Sequence, residues 1–188
     1  MRAAIINKWV FAIAMGAVLC QALHVHAARP SEYEVKAVFL YNFAKFVEWP
    51  EKALPDTATS LIIGILGDDP FDDAFASIQD KQVKGRRLVI RRFTEFKDLQ
   101  SCHILFVSTS EQKHLSQIIE HLDGSSTLMV SEIAHFTQNG GMINFILQEN
   151  KVRFEINVDA AEQVGLKLSA KLLKLARIVQ VQRRGGQE

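Results

Sequence analysis

The stretch GGMINFILQENKVRFEIN, from Gly140 to Asn157, decides the kind of sheet that this chain builds. It holds two short runs of alternating apolar and polar residues around the polar break Glu149-Asn150-Lys151, and this pattern predicts a β-hairpin. The Gly140-Gly141 pair permits unusual backbone angles just before the first strand. Because the strands of a hairpin are antiparallel, a sheet that includes this stretch is not purely parallel.

Upstream of the hairpin, apolar strand-like runs alternate with helix-like segments. LIIGILG (Leu61–Gly67) and CHILFVS (Cys102–Ser108) are typical of strands buried on both faces, RRLVIRRF (Arg86–Phe93) alternates as a half-buried strand does, and STLMVS is a further strand. DDPFDDAFASI and EQKHLSQIIEHL between them are predicted helices. This order indicates an α/β fold: a three-layer sandwich with a mixed, mainly parallel sheet of about six strands, helices on both faces and a C-terminal β-hairpin plus helix.

Helices are also predicted at the two ends of this region. SEYEVKAVFLYNFAKFVEWP begins with a capping box of Ser31 and Glu34 and ends at Pro50. Its aromatic residues, Tyr41 and Trp49 among them, cover most of the helix, so we expect it to be buried in the core or against a partner. VGLKLSAKLLKLARIVQVQRR places leucines on one face and cations on the other, and this predicts a surface helix.

The start of the chain has the build of a secretory signal peptide. Arg2 and Lys8 precede an apolar stretch of roughly a dozen residues, too short to cross a bilayer, and Ala27 closes a small-residue cleavage site. We therefore predict a signal peptide at residues 1–27, one domain at residues 31–181 and a disordered tail at residues 182–188. Cys20 raises a lipoprotein alternative, which the large Leu19 before it disfavours.

Charge and cysteine content limit what the exported chain can do. Loss of Arg2 and Lys8 removes two positive charges from the formal +1 and leaves −1, which argues against binding to nucleic acid. Only Cys102 remains after cleavage, so no internal disulfide can form. Its position in an apolar run indicates a buried small hydrophobe, with an intermolecular bridge as the alternative.

No catalytic or metal-binding pattern is readable. The acidic residues of GDDPFDD are explained by helix capping, His114 and His121 lie too far apart to chelate one zinc unaided, and no nucleophile elbow or dinucleotide-binding loop is present. In the hairpin, Arg153 and Glu155 share one strand face, and Asn144 is expected on the facing strand. This face is either an ordinary solvated surface or a polar patch for a ligand or partner.

Six segments together resemble the YfiR family of exported bacterial proteins. They are YNFAKFVEWP, ILGDDPF, KGRRLVIRRF, CHILFVSTSE, GGMINFILQENKVRFEIN and GLKLSAKLLKLA, and they cover the region from Ser31 to Val179 in order. The resemblance implies a periplasmic regulator without enzymatic activity or cofactor. YfiR itself carries paired cysteines, so its disulfides have no counterpart here.

The resemblance also implies partners. Family members bind the periplasmic part of an inner-membrane diguanylate cyclase of the YfiN type and hold it inactive, which lowers cyclic di-GMP and biofilm formation. An outer-membrane lipoprotein of the YfiB type sequesters the inhibitor, and the protein is expected to form a homodimer. We assign partner binding to Tyr41, Trp49, Asn144, Arg153 and Glu155. The alternative is a periplasmic small-molecule sensor or carrier, with a pocket near Asp68 and Asp69 or under Arg153.

Overall fold

The computed structural model describes residues 30–79 and 81–181, so the predicted signal peptide and the predicted disordered tail lie outside the described residues. The helices are α1 (Glu32–Phe46), α2 (Leu115–His121), α3 (Val158–Gln163) and α4 (Ala170–Leu173). The strands are β1 (Val47–Glu48), β2 (Ser60–Leu66), β3 (Gln82–Val83), β4 (Arg86–Phe93), β5 (Ile104–Val107), β6 (Leu128–Ser131), β7 (Ile143–Gln148), β8 (Lys151–Ile156), β9 (Lys167–Leu168) and β10 (Arg177–Ile178).

Eight of the strands form one mixed sheet in the order β10-β8-β7-β6-β5-β2-β4-β3. The pairs β3–β4 and β7–β8 are antiparallel and the other pairs are parallel. The central strands β5 and β6 are buried at every residue, as their aliphatic sequences predict. The predicted α/β class and mixed, mainly parallel sheet are confirmed, and the two strands beyond six are the two-residue edge strands β3 and β10.

Helices cover both faces of this sheet. Phe43 of α1 packs against Phe145 and Phe154 of the hairpin, with ring centroids 5.8 and 5.1 Å apart. On the other face, α2 buries Leu115 and Ile118. The three-layer arrangement follows from the alternation of side chains along each strand.

α1 begins as predicted and ends earlier than predicted. Ser31 and Glu34 form the capping box at its start. Its last predicted turn instead extends into β1, which pairs antiparallel with β9 in a separate two-stranded sheet. The position of Pro50 alone predicted that Val47 and Glu48 belong to the helix. They form a strand instead, because β9, from the C-terminal part of the chain, pairs with them.

A buried lysine ties α1 to the loop after β6. Lys36 forms ion pairs with Glu32 and Glu132, and Tyr33 Oη donates to Glu132 Oε1 at 3.0 Å. The Lys36 ammonium also lies 4.4 Å from the centroid of the Tyr33 ring. Burial and the neighbouring Glu132 carboxylate raise the pKa of Tyr33 to about 12.

Three of the predicted helices differ from the structure. The segment after Asp69 is a 3₁₀ helix (Asp72–Ser77), and the first half of the predicted helix at 111–122 is also 3₁₀ (Thr109–His114) before α2 begins. The long C-terminal surface helix is wrong: this segment is divided into β9, α4 and β10. Ser169 caps α4 by accepting from Leu172 N, and the flanking residues pair with β1 and β8. Tertiary pairing here overrides the helical spacing of the leucines.

Within the described ranges, no helix has the length and apolar character that a bilayer crossing requires.

Candidate functional site

The β7–β8 hairpin has the register that the sequence predicted. Glu149 and Asn150 form its two-residue turn with φ of 52° and 56°. Asn144 and Glu155 are register partners, and Arg153 lies on the same face of β8 as Glu155. Arg153 is exposed, whereas Asn144 and Glu155 are buried.

Glu155 holds two neighbouring segments to the sheet. Its Oε2 accepts a hydrogen bond from Thr137 Oγ1 at 3.2 Å, and its carboxylate forms an ion pair with Arg177 of β10. Asn157 Nδ2 donates to the Thr137 carbonyl at 3.0 Å. The carboxylate is therefore satisfied inside the protein, although its partner Arg177 is largely exposed.

Asn144 has a similar internal role. With its amide oriented to satisfy both ends, Nδ2 donates to Ser131 O at 3.0 Å and to Ile133 O at 3.2 Å. Asn144 and Glu155 thus hold the loop between β6 and β7 against the sheet through buried hydrogen bonds. Any effect of these two residues on partner binding passes through the position of that loop and of β10.

Exposed apolar side chains flank β8. Leu147, Leu175 and Ile178 are 59%, 65% and 47% exposed. Leu147 pairs with the start of β8, and Ile178 pairs with its end. We call these three residues together with Arg153 the hairpin edge (Leu147, Arg153, Leu175 and Ile178). The strand register places Leu147 and Ile178 on one face of the sheet and Arg153 on the other. Large exposed apolar side chains are typical of a protein interface.

Tyr41 lies far from the hairpin edge. Its hydroxyl donates to Gln82 O of β3 at 3.4 Å, and the ammonium groups of Lys45 and Lys81 each lie 5.3 Å from its ring centroid. Five strands separate β3 from β8 in the sheet, a distance of roughly 30 Å at the usual strand spacing. The structure therefore does not bring Tyr41 together with the predicted hairpin residues.

Trp49 forms one wall of a separate cleft near Tyr41. Its Nε1 donates to His103 O at 3.1 Å, and the cleft has a volume of about 240 Å³. The lining residues are Ala44, Glu48, Trp49, Leu54, Asp56, Leu61, Val83, Lys84 and Arg86.

Arg86 carries an unusual feature of this cleft, because its Nε is buried without a hydrogen-bond partner among the described residues. Nη2 of the same guanidinium donates to Pro55 O at 3.0 Å and to Asp56 Oδ1 at 3.4 Å. Buried polar atoms in proteins nearly always have partners, so this N–H is an exception among the described residues. No sequence signal pointed to Arg86, because an arginine in an alternating strand indicates a solvated face.

His103 beside the cleft is a neutral structural residue. Its Nδ1 accepts a hydrogen bond from Ile62 N at 3.0 Å, and burial lowers its pKa. Both observations keep the imidazole uncharged near neutral pH.

Of the two acidic residues at the carboxyl end of β2, Asp69 has its carboxylate engaged within the protein and Asp68 is held through its backbone. Asp69 Oδ1 accepts from Phe71 N at 2.8 Å, and Oδ2 pairs with Arg92 Nε at 2.6 Å. Asp68 N donates to Ser110 Oγ at 3.0 Å. In the part of the chain that the structure describes, no group of three His, Cys, Asp or Glu side chains is arranged to hold a metal ion.

Cys102 is buried next to Gly64, and burial raises the pKa of its thiol to about 12. A thiol in this state is a poor nucleophile. The structure therefore agrees with the interpretation of Cys102 as a small core residue.

Comparison with known proteins identifies the family. Residues 33–177 match the YfiR/HmsC-like family, so the chain belongs to it. Among solved structures, a conserved domain protein from Vibrio cholerae has a similar fold, with a TM-score of 0.51 and 13% identity over 80% of this chain. The chain spans 60% of that protein's length.

Proposed function

We propose that this member of the YfiR/HmsC-like family is a periplasmic binding protein that represses an inner-membrane diguanylate cyclase of the YfiN type. Its binding lowers cyclic di-GMP and biofilm formation. The observation that carries the proposal is the family match, which spans residues 33–177 and includes Leu147, Arg153 and Leu175 of the hairpin edge. The exposed apolar side chains of that edge support a role in binding another protein.

The hairpin edge is the surface that binds the cyclase. Leu147, Leu175 and Ile178 supply the apolar contact area, and Arg153 adds a charge that selects the orientation of the partner. Asn144 and Glu155 contribute indirectly, because their buried hydrogen bonds and ion pair hold the β6–β7 loop and β10 in place. A homodimer uses the same kind of surface, and an outer-membrane lipoprotein of the YfiB type relieves repression by competing for the protein.

Repression works by differential binding. A protein that binds the inactive form of the cyclase more tightly than the active form shifts the equilibrium toward the inactive form. Turning a mostly active cyclase into a mostly inactive one requires a difference in affinity of roughly 10⁴-fold, about 5.5 kcal/mol. An interface with several buried apolar anchors supplies energies of this size.

The test is to delete the gene and measure intracellular cyclic di-GMP with the cyclase expressed. We expect cyclic di-GMP to rise on deletion and to fall again on complementation with the wild-type gene. Complementation with the Arg153→Glu variant should fail to restore repression. The Lys113→Glu variant, which reverses an exposed charge outside the hairpin edge, is the matched control. Unchanged cyclic di-GMP on deletion would defeat the proposal, and full complementation by Arg153→Glu would clear that residue.

A second candidate function is a small-molecule sensor, and the cleft at Trp49 favours it. Trp49 offers an apolar wall, and Lys84 and Arg86 bring cationic groups to a lining that also holds Glu48 and Asp56, so the cleft suits a small ligand with an apolar part and a charged group. A thermal-shift screen of small carboxylates tests it, with the Arg86→Lys variant as control. Binding that this variant abolishes would support a sensor, and the absence of any shift would leave repression alone.

A further inference from the structure

The outer edge of β4 is only partly covered. The inner edge pairs with β2 at seven positions, whereas β3 pairs with the outer edge only at Arg86 and Arg87. One more hydrogen bond, from Leu88 N to Lys81 O at 3.3 Å, ends the covered part. Beyond Leu88, the described residues contribute no strand on this side of β4.

The backbone groups along this uncovered part point to the outside of the sheet. Arg87 N donates to Thr59 O on the β2 side, whereas Leu88 N donates to the β3 side. Neighbouring residues of a strand direct their backbone groups to opposite edges, so the N–H and C=O groups of Ile90 and Arg92 point outward. Such a row of donors and acceptors is a template for an added strand.

The side chains around this template are strongly cationic. β4 carries four arginines and no acidic residue. Arg91 and Arg92 lie on opposite faces of the strand, where Arg91 Nη1 donates to Gln100 Oε1 at 3.2 Å and Arg92 pairs with Asp69. Both arginines line an open cavity of about 350 Å³ beside the edge, together with the single carboxylate of Asp98. Val89 and Ile90, which precede the two arginines in β4, are half-buried and offer apolar contact.

We propose that this edge, residues 88–93 of β4, binds an extended acidic segment of a protein partner, which joins the sheet as an additional strand. Acidic side chains on both faces of the added strand pair with Arg91 and Arg92, and its backbone pairs with Ile90 and Arg92. A second copy of this chain is a poor partner, because a β4–β4 pair would bring the arginines of both strands together at one edge without acidic partners. This edge lies at the other end of the sheet from the hairpin edge, so the proposal does not depend on repression of a cyclase.

The experiment uses the purified protein and two short synthetic peptides: a Glu–Val peptide that repeats Glu-Glu-Val-Val, and so presents acids on both faces of a strand, and a Lys–Val peptide that repeats Lys-Lys-Val-Val. Calorimetry measures affinity, and amide hydrogen exchange followed by NMR locates the contact. We expect the Glu–Val peptide to bind and to slow exchange at Ile90 and Arg92 by about tenfold or more. Exchange at Arg87, whose N–H already bonds to Thr59, should change little.

Charge reversal provides the control for specificity. Arg91→Glu combined with Arg92→Glu should weaken Glu–Val binding about tenfold or more and favour the Lys–Val peptide. Because Arg92 also pairs with Asp69, Arg87→Glu provides a second variant if the first does not fold; it should weaken Glu–Val binding about threefold. Lys113→Glu should leave binding unchanged.

Several results would overturn the proposal. These are no binding of the Glu–Val peptide, equal binding of both peptides, or binding without slower exchange at Ile90 and Arg92. The first would mean that the arginines only keep the sheet edge from aggregating, a common role of edge charges.

Discussion

Replacing Glu132 with Ala should lower the free energy of unfolding by about 3 kcal/mol, because it leaves a buried lysine without its better-shielded counterion. Lys36 is 2% exposed, and its two carboxylate partners differ in their surroundings. The Glu132 side chain is 15% exposed, whereas that of Glu32 is 38% exposed and screened by solvent. Glu132 also accepts the hydroxyl of Tyr33, which would lose its acceptor.

The size of the effect follows from this difference. Breaking a buried ion pair by removing one partner costs about 3–5 kcal/mol, and the remaining pair with Glu32 keeps the cost at the lower end. For a domain of this length, such a loss lowers Tm by roughly 6–12 °C. Glu32→Gln should cost about 0.5 kcal/mol, because it removes an exposed i,i+4 pair.

Urea denaturation followed by circular dichroism measures these differences. The double variant Lys36→Met, Glu132→Met should recover most of the loss, since apolar residues of similar size replace the buried charges. Equal losses in Glu132→Ala and Glu32→Gln would refute the reasoning. They would mean that Lys36 does not depend on the loop after β6.

Three further predictions test single residues. Burial lowers the pKa of His103 below 6.5, so the unfolded chain binds more protons than the folded one. Stability should therefore fall as the pH drops below about 6.5, by at most about 1.4 kcal/mol per pH unit. Denaturation at pH 7.5 and 5 should show a smaller loss of stability for His103→Asn than for wild type, and an identical loss would contradict this. Gly141→Ala should lower the free energy of unfolding by at least about 2 kcal/mol, because the added Cβ would lie 2.2 Å from the Phe136 ring. A Tm within 1 °C of wild type would show instead that the ring moves aside freely. Cys102, with its pKa raised to about 12, should react with a thiol reagent at pH 8 only when the protein is unfolded in urea, and rapid labelling of the native protein would exclude a buried thiol.

The strands and the hairpin register could be predicted because a period of two assigns each residue to one face. Arg153 and Glu155 do share a face, as their spacing required. The burial of Glu155 could not be predicted, because it depends on Thr137 and Arg177, which come from a loop and a strand distant in sequence.

The errors concern segments whose neighbours in space decide their structure. The leucines from 166 to 175 have helical spacing, yet β9 and β10 form there because β1 and β8 offer open edges. The cleft at Trp49 escaped prediction for a related reason. Its key atom, Arg86 Nε, is distinctive only because the loop at Pro55 and Asp56 engages the other end of the guanidinium.

The pairing of β1 with β9 makes intrinsic tryptophan fluorescence a probe of this part of the structure. The chain has two tryptophans, and removal of residues 1–27 would leave Trp49 alone. This indole follows β1 directly, and Pro50 next to it contacts the position of Gly165 just before β9. A shift of the C-terminal segment would therefore change the wavelength of intrinsic emission, so that movement at this joint can be followed without attaching a dye.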